Sequence, residues 1–350
     1  MAIIVVYRIM KIGIAMSGGV DSTACALMLK EKFELKGFFM RLAQPDFNEQ
    51  KERVKIIADK LGIELEIIDL RGAFEQAVLD YFSGSYFKGL TPNPCVKCNK
   101  EIKFGLFLDA ILQTGMSKMA TGHYARITKE NDIYHLGTGL DPKKDQSYFL
   151  ARLNQQQLGS VLFPLGDKEK DSIYTYVENK GFTNFRGRES QDVCFLEKNE
   201  IGSFLDARNS QTDAKGAILT SDGKVLGEHT GLFHYTIGQR KGLGISHPEA
   251  LYVIALDATN NTVLVGTNDE LFSKTIQVKQ LHWLSGAQPG LDQPYNVRIR
   301  YSHRGSLAQL KLQENNCGTF TFTKAQRAIT PGQFAVVYNN TELLGSGIIE

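Results

Sequence analysis

The stretch Ala15-Met16-Ser17-Gly18-Gly19-Val20-Asp21-Ser22-Thr23 constrains the fold more tightly than any other part of the chain. The apolar run from Lys11 to Ala15 before it reads as a buried strand. Ala24, Leu27 and Met28 after it recur at the spacing of one helix face. A strand that turns through glycines into a helix belongs to an open parallel sheet, which binds ligands where its strands end. Gly18 and Gly19 let a phosphate approach the backbone and let the turn take positive φ. The first N–H groups of the helix would face that phosphate, with the helix dipole behind them. Ser17, Ser22 and Thr23 add hydroxyls, and Asp21 is placed either to hold Mg²⁺ or to cap the helix. No Gly-Lys-Ser/Thr follows the glycines, so this is not a Walker A loop. The plain alternative is a glycine turn opening an ordinary helix.

Further strands are expected at Leu35 to Met40 and at Leu65 to Leu70. Between them lies a helix from Glu49 to Leu61, with Val54, Ile57, Ala58 and Leu61 on one face. This alternation predicts a parallel sheet with right-handed crossovers. Met40, at the end of the second strand, falls beside the crevice and could pack on adenine. A helix over Phe74 to Tyr86 gives way to Thr91-Pro92-Asn93-Pro94, which forces an irregular path. Cys95 to Asn99 then opens a helix running to about Gln113. A thiol at that helix start, with Lys97 and Lys100 nearby, should have its pKa pulled below the free value of about 8.5. Met116 to Thr121 reads as a fourth strand, ending in Gly122-His123-Tyr124 at the same sheet edge as the glycine loop. Ile127 to Leu136 suggests a hairpin, Lys143 to Phe149 the start of a short helix, and Asp171 to Asn179 a helix closed by Gly181. Ser190 to Phe195 is a polar loop entering a short apolar piece.

Composition shifts after about Asp206. Arg208 to Gly216 is polar and reads as a linker, and the stretch Gly231 to Gly244 is too glycine-rich for a helix. Tyr295, Val297, Ile299 and Tyr301 alternate with polar residues, and strands follow near Leu307–Leu312, Phe320–Phe322 and Phe334–Tyr338. Short strands spaced this way suggest a small antiparallel barrel. The expected class is α/β: a parallel-sheet domain over 1–207, a small central β-rich domain over 208–272, and an antiparallel β-barrel over 273–350.

A chain of 350 residues should hold more than one core. No apolar run approaches the ~20 residues needed to cross a bilayer. Met1 to Met10 lacks the features of a signal or transit peptide, so a cytoplasmic protein without membrane contact is expected. Formal charge is only +2, yet seven Lys/Arg stand against two acids between Tyr86 and Lys129. That excess could follow a phosphate backbone or be a solvated face. The odd count of five cysteines argues for chemistry or burial over a disulfide scaffold. Cys25 is expected in the core, and Cys317 lies in a polar turn with no role assigned.

The glycine loop resembles the pyrophosphate-binding loop of the ATP pyrophosphatases. Cys98 and Cys194 both fall in loop-like surroundings. With them the chain resembles the tRNA-specific 2-thiouridylases, whose parallel-sheet domain is of the adenine nucleotide hydrolase type. The match rests on residues 17–22, Thr91-Pro92-Asn93-Pro94, Cys98-Asn99-Lys100-Glu101-Ile102-Lys103-Phe104 and Thr121-Gly122-His123-Tyr124. It continues in Lys144-Asp145-Gln146-Ser147-Tyr148-Phe149, Cys194-Phe195 and Gln239-Arg240-Lys241-Gly242. The resemblance implies ATP-driven adenylation of the 2-oxygen of the wobble uridine of tRNA, with Mg²⁺. Sulfur would come from a persulfide on Cys194, loaded by a cysteine desulfurase or a sulfur-relay protein. Cys98 would be the nucleophile, ending in a disulfide with Cys194 or releasing sulfide. It also implies that Ala15, Met16, Ser17, Gly18, Gly19, Val20, Asp21, Ser22, Met40 and Gly122 line the ATP site. Asn93, Pro94 and Cys95 would meet the target base, while His123, Lys144, Asp145, Gln146, Arg300, Tyr301 and Gln333 contact tRNA. A monomer with no resident metal is expected.

Some family members carry Asp where this chain has Cys95, so here a thiol, water or His123 must do that work. Other readings stay open at this stage. Cys95, Cys98 and Cys194 could ligate zinc or an iron–sulfur cluster, or Cys98 and Cys194 could be inert thiols. His123 could be a core histidine, and Arg298 and Arg300 a solvated barrel face. A non-enzymatic RNA-binding protein would be expected to have lost the loop or the cysteines, and both are intact.

Overall fold

The computed structural model describes residues 10–183, 185–186, 193–197, 200–209 and 215–350. Ser190, Gln191 and Asp192 of the expected polar loop, and 210–214 of the expected linker, lie outside the described residues. The chain packs into two compact units. The first runs to Glu75, resumes at Cys98 and ends at Phe195; the second comprises Gln76–Lys97 and Leu196–Glu350.

The chain begins with β1 (Lys11–Ala15), α1 (Val20–Lys30), β2 (Glu34–Arg41), α2 (Phe47–Leu61) and β3 (Leu65–Asp69). Next come α3 (Arg71–Phe74), a π-helical turn (Glu75–Leu79), α4 (Asp80–Tyr86), α5 (Pro94–Cys98), a π-helical stretch (Asn99–Phe107) and α6 (Leu108–Gln113). Then follow β4 (Lys118–Ala120), β5 (Ala125–Glu130), β6 (Ile133–Thr138), α7 (Gln155–Gly159), β7 (Val161–Leu162), α8 (Lys170–Asn179) and α9 (Ile201–Arg208).

In the first unit β3-β2-β1-β4-β7 form one sheet, every pair parallel. Ile12 and Ile14 of β1 are fully buried, as the apolar run requires. The apolar stripe of α2, Val54, Ile57, Ala58 and Leu61, is buried as its spacing predicts, and Gly62 ends the helix at φ 64°. Chain order reverses at β1: β2 and β3 lie to one side, β4 and β7 to the other. That places the ligand crevice at the ends of β1 and β4. The β5–β6 hairpin turns through Asn131 and Asp132, both at positive φ, as a tight two-residue hairpin demands.

The expected helix at Lys143–Phe149 is only a 3₁₀ turn over Ser147–Leu150. The Asp145 carboxylate accepts from the amides of Gly139 and Ser147, a local bond that competes with helix formation.

The second unit continues with β8 (Gly216–Thr220), β9 (Val225–His229), β10 (Tyr252–Asp257) and β11 (Thr262–Gly266), paired in the order β10-β11-β8-β9. Ile218, Val253, Val263 and Val265 form its core. Beyond it lie β12 (Phe272–Trp283), β13 (Tyr295–Arg298), β14 (Ser306–Gln313), β15 (Cys317–Arg327), β16 (Phe334–Asn339) and β17 (Glu342–Ile349). They pair antiparallel in the order β12-β15-β14-β13-β16-β17, and β17 returns to β12 to close a six-stranded barrel. Tyr295, Val297 and Ile299 point into its core as the alternation predicts. Tyr301 does not join them. The strand ends at Arg298 and a turn closes from His303 N to Arg300 O, leaving Tyr301 41% exposed. Cys317 closes the polar turn in which the sequence places it and opens β15. No helix among the described residues is long and apolar enough to cross a membrane.

Candidate active site

The loop after β1 is built as an anion cradle. Gly18 stands at φ 76°, which other residues rarely adopt. Gly19 is the N-cap of α1, and no side chain caps the helix. The opening amides of α1 therefore lack the intrahelical acceptors that later turns have. Ser22 and Thr23 hydroxyls each donate to Gly19 O at 3.0 Å and hold the turn, while Ser17 is exposed. Met16 and Val20 bury their side chains in the core, so their backbones are what they offer a ligand. Met40 lies near the end of β2 and is half-buried.

Gly122, in the segment after β4, meets this loop at close range. A Cβ there would lie 2.6 Å from Asp21 Cβ and 3.2 Å from Ser22 N. Only glycine lets the two crossings approach so closely.

Asp21 does not cap α1; its carboxylate has other partners. Both oxygens accept from Lys170 Nζ at 2.8 Å, and Oδ1 also accepts from Tyr124 OH at 2.8 Å. The Lys170 side chain is 8% exposed, that of Asp21 32%. Lys170 Nζ also lies 5.6 Å and 5.1 Å from the Tyr124 and Tyr174 ring centroids. Burial first, then the Asp21 charge, pushes the Tyr124 phenol far above its ordinary range, so it stays a donor. Lys170 was invisible to motif reasoning. The one local signal was its position, because a lysine opening a helix opposes the helix dipole and asks for a tertiary reason.

His123 is buried, with Nδ1 2.7 Å from Thr121 Oγ1 and its ring between Phe104 and Phe163. Burial, then the Lys103 charge, holds its pKa well below the usual imidazole range. It is therefore a neutral imidazole. Gln146 pairs with Tyr124 through both backbone and side chain, and Asp145 is buried in the turn it organises; Lys144 is half-buried.

Cys98 closes α5, and the next nine residues form the π-helical stretch, with Gly105 at non-helical angles. Gln157 Nε2 donates to Lys100 O and Phe104 O, supplying donors to carbonyls in this altered ladder. Asn99 Nδ2 donates to Phe149 O and anchors the start of the stretch. Such π-helical segments often mark functional sites. Cys194 lies in a turn, followed by Phe195, which packs edge-on against Phe74 at 5.8 Å. Its surface is exposed, yet protein crowds the thiol. Desolvation raises its pKa, and the nearby Lys103 charge pulls the other way. Exposure governs its access to partners; crowding governs its charge. Lys103 thus acts on both His123 and Cys194 from the stretch that Cys98 introduces. All five cysteines are free thiols.

The remaining expected residues belong to the second unit. Asn93 Oδ1 accepts from Val96 N at 3.2 Å, the bond of an N-cap, and Pro94 starts α5 where proline costs no hydrogen bond. Cys95 is half-buried. Gln333 Nε2 donates to Thr91 O at 2.8 Å and Pro92 O at 3.2 Å, so it grips the Thr91–Pro94 segment. Arg300 Nη1 donates to Arg327 O at 3.1 Å.

Among the described residues, no three His, Cys, Asp or Glu side chains group to hold a metal ion. Asp21 is the carboxylate of the loop, but both of its oxygens are already paired with Lys170, so it does not fit as a ligand to Mg²⁺ while that pair stands.

Three family models match in succession: tRNA methyl transferase HUP domain over 10–198, tRNA methyl transferase PRC-barrel domain over 202–267, and aminomethyltransferase beta-barrel domain over 273–349. A protein of Desulfotalea psychrophila named tRNA-specific 2-thiouridylase MnmA is 55% identical over 96% of this chain and 98% of its own length. Proteins of the same name are 43% identical in Syntrophomonas wolfei (97% of this chain, 100% of theirs) and 37% identical in Clostridioides difficile (97% and 98%).

Proposed function

The chain belongs to the tRNA-specific 2-thiouridylase family, and from that premise we propose that it is a sulfurtransferase that makes 2-thiouridine at the wobble position of tRNA. One observation carries the reading: a single unit holds both an uncapped phosphate loop and the thiols of Cys98 and Cys194. The matching families are named for methyl transfer, but this combination suits ATP and sulfur.

The uridine 2-oxygen attacks the α-phosphorus of ATP. A bond from that oxygen to phosphorus forms, the α–β bridge breaks, and pyrophosphate leaves. The loop from Ala15 to Ser22 receives the phosphates on backbone amides, with Gly122 against it and Met40 at the adenine side. Mg²⁺ would enter on the phosphates of ATP and neutralise their charge, while Asp21 stays tied to Lys170. The terminal sulfur of a Cys194 persulfide then attacks C2 and AMP departs. Cys98 thiolate attacks Cys194 Sγ, which frees thiouridine and leaves a Cys98–Cys194 disulfide for a cellular thiol to reduce. The alternative exit is release of sulfide, which attacks C2 itself. Asn93, Pro94 and Cys95 present the base, while Lys144, Gln146, Arg300 and Tyr301 reach tRNA. His123, Asp145 and Gln333 complete the set of residues that contact tRNA. The sulfur donor is a cysteine desulfurase or a relay protein. Regions 1–207, 208–272 and 273–350 serve as catalytic, central and tRNA-contacting parts.

The test supplies the purified protein with tRNA, ATP, Mg²⁺, cysteine and a cysteine desulfurase. Nucleosides of the digested tRNA are then weighed by mass spectrometry. A wobble uridine heavier by the exchange of oxygen for sulfur, with one AMP formed per sulfur, is expected. Methylated uridine or unchanged tRNA would overturn the reading.

A further inference from the structure

Arg53 reaches the phosphate loop from α2, and neither the loop motif nor the cysteines point to it. Its Nε lies 3.2 Å, and its Cγ 3.3 Å, from the point that a Gly18 Cβ would occupy. The side chain thus lies directly on the glycine whose positive φ shapes the turn. That Nε is buried and has no hydrogen-bond partner among the described residues. The ion-pair contact of its guanidinium is long, Nη2 to Asp46 Oδ2 at 3.9 Å.

Buried donors in folded proteins are almost always satisfied, and the exceptions call for a reason. Here the unmet donor belongs to a permanent cation beside a turn whose helix amides already favour an anion. A guanidinium offers donors in a fork that fits phosphate oxygens, and its charge is not lost at any working pH. We propose that Arg53 is a phosphate-binding residue of this site, holding the pyrophosphate end of ATP against the Gly18 turn. The proposal rests on the reading that the loop binds ATP. In that setting Arg53 lets the leaving group depart as a charge-compensated anion while the nucleoside monophosphate stays on the substrate. Asp46 is close enough to keep the guanidinium oriented in the absence of phosphate, and far enough to be outcompeted by it.

Calorimetric titration of the full chain with ATP, with pyrophosphate and with AMP decides the matter. Arg53→Met keeps the aliphatic stem on Gly18 and removes the donors. It should weaken ATP and pyrophosphate binding by roughly 10- to 100-fold, the scale of one or two charge-assisted hydrogen bonds, and leave AMP binding unchanged. Arg53→Lys should recover part of the loss. Equal ATP and pyrophosphate affinities in Arg53→Met and the parent would overturn the proposal. So would a parallel loss of AMP binding, because that marks a collapsed loop. If the parent chain itself binds neither ATP nor pyrophosphate, the reading of the loop fails first and takes this proposal with it.

Discussion

Lys170 Nζ and the Asp21 carboxylate form a two-pronged pair, 2.8 Å to each oxygen, across 149 residues of sequence. It joins the first residue of α8 to the first turn of α1, and Tyr124 closes it from a third side. The acid of the phosphate loop is thereby fixed in place and its charge balanced before any nucleotide arrives.

Lys170→Met should cost roughly 2–3 kcal/mol of stability, the low side for breaking a buried pair because Asp21 keeps contact with water. It should also scramble the Asp21 position and cut ATP-dependent AMP release at least ~10-fold. Lys170→Arg should recover much of the stability. Urea unfolding and an AMP assay on the same preparations check this. Unchanged AMP release in Lys170→Met would show that the pair is not part of the ATP site.

The two thiols should fail at different steps. Cys194→Ser should take up no transferable persulfide and make no thiouridine; Cys98→Ser should be loaded at Cys194 yet stall before product. Both should still form AMP from ATP and tRNA, since adenylation uses neither thiol. Labelling with ³⁵S-cysteine and a desulfurase, followed by non-reducing gels, separates the cases. Persulfide on Cys98 in the Cys194→Ser protein would reverse the assignment. Elemental analysis of anaerobically purified protein tests the metal reading: stoichiometric iron or zinc that vanishes with either cysteine would replace the persulfide route.

Gln333 and Arg300 should behave differently in tRNA binding. Gln333→Leu removes the grip on Thr91 and Pro92, so it should lower thiolation without altering the salt dependence of tRNA affinity. Arg300→Ala should weaken binding and reduce the salt slope by about one, the signature of a lost phosphate contact. Filter binding across a salt series measures both. An unchanged slope in Arg300→Ala would confine that side chain to holding the Arg327 carbonyl.

Acid should destabilise the protein in a defined window. Burial is the leading cause of lowered pKa at His123, His229 and His303. Unfolded, each titrates near 6.5. Below that pH the unfolded chain binds more protons than the native one, so stability falls as pH falls. Above about 6.5 these contributions are fully present. Denaturant midpoints should therefore be level from pH 7 to 8 and drop from 6.5 downward, chiefly through the buried His123, at up to roughly 1.4 kcal/mol per pH unit for that group, with smaller, screened contributions from His229 and His303. His123→Gln should flatten that slope. An unaltered slope would mean that His123 takes a proton in the native state.

The phosphate loop was legible because everything that shapes it is local: a buried strand, two glycines and a helix in succession. The helix stripe of α2 and the alternation over Tyr295–Ile299 were legible for the same reason. The partners of Asp21 were not. Lys170 lies on a helix whose other polar residues are solvated, and no local pattern marks a lysine that will be buried by another element. Asp145 belongs to a motif whose resemblance implies RNA contact, and the motif gave no sign that its carboxylate would also accept from two backbone amides, a choice made by turn geometry. Helix α9 and the long strand β12 lack a clean period, so they emerged only with their packing partners in place. Tyr301 kept the rhythm of its strand one step beyond where the backbone turns.

The bonds from Gln333 to Thr91 and Pro92, with Thr91 N donating to Pro331 O at 2.9 Å, have a consequence for biosynthesis. A ribosome makes Gln76–Lys97 early, but the strands and turn that hold this segment are made about 240 residues later. At roughly 5–20 residues per second the segment waits ten seconds or more for its partners. The first unit can gather its sheet meanwhile, while the Thr-Pro-Asn-Pro stretch stays open to proteases and chaperones until the barrel emerges. Stalled nascent chains of increasing length should therefore lose protease sensitivity near Thr91 only after Gln333 has cleared the exit tunnel.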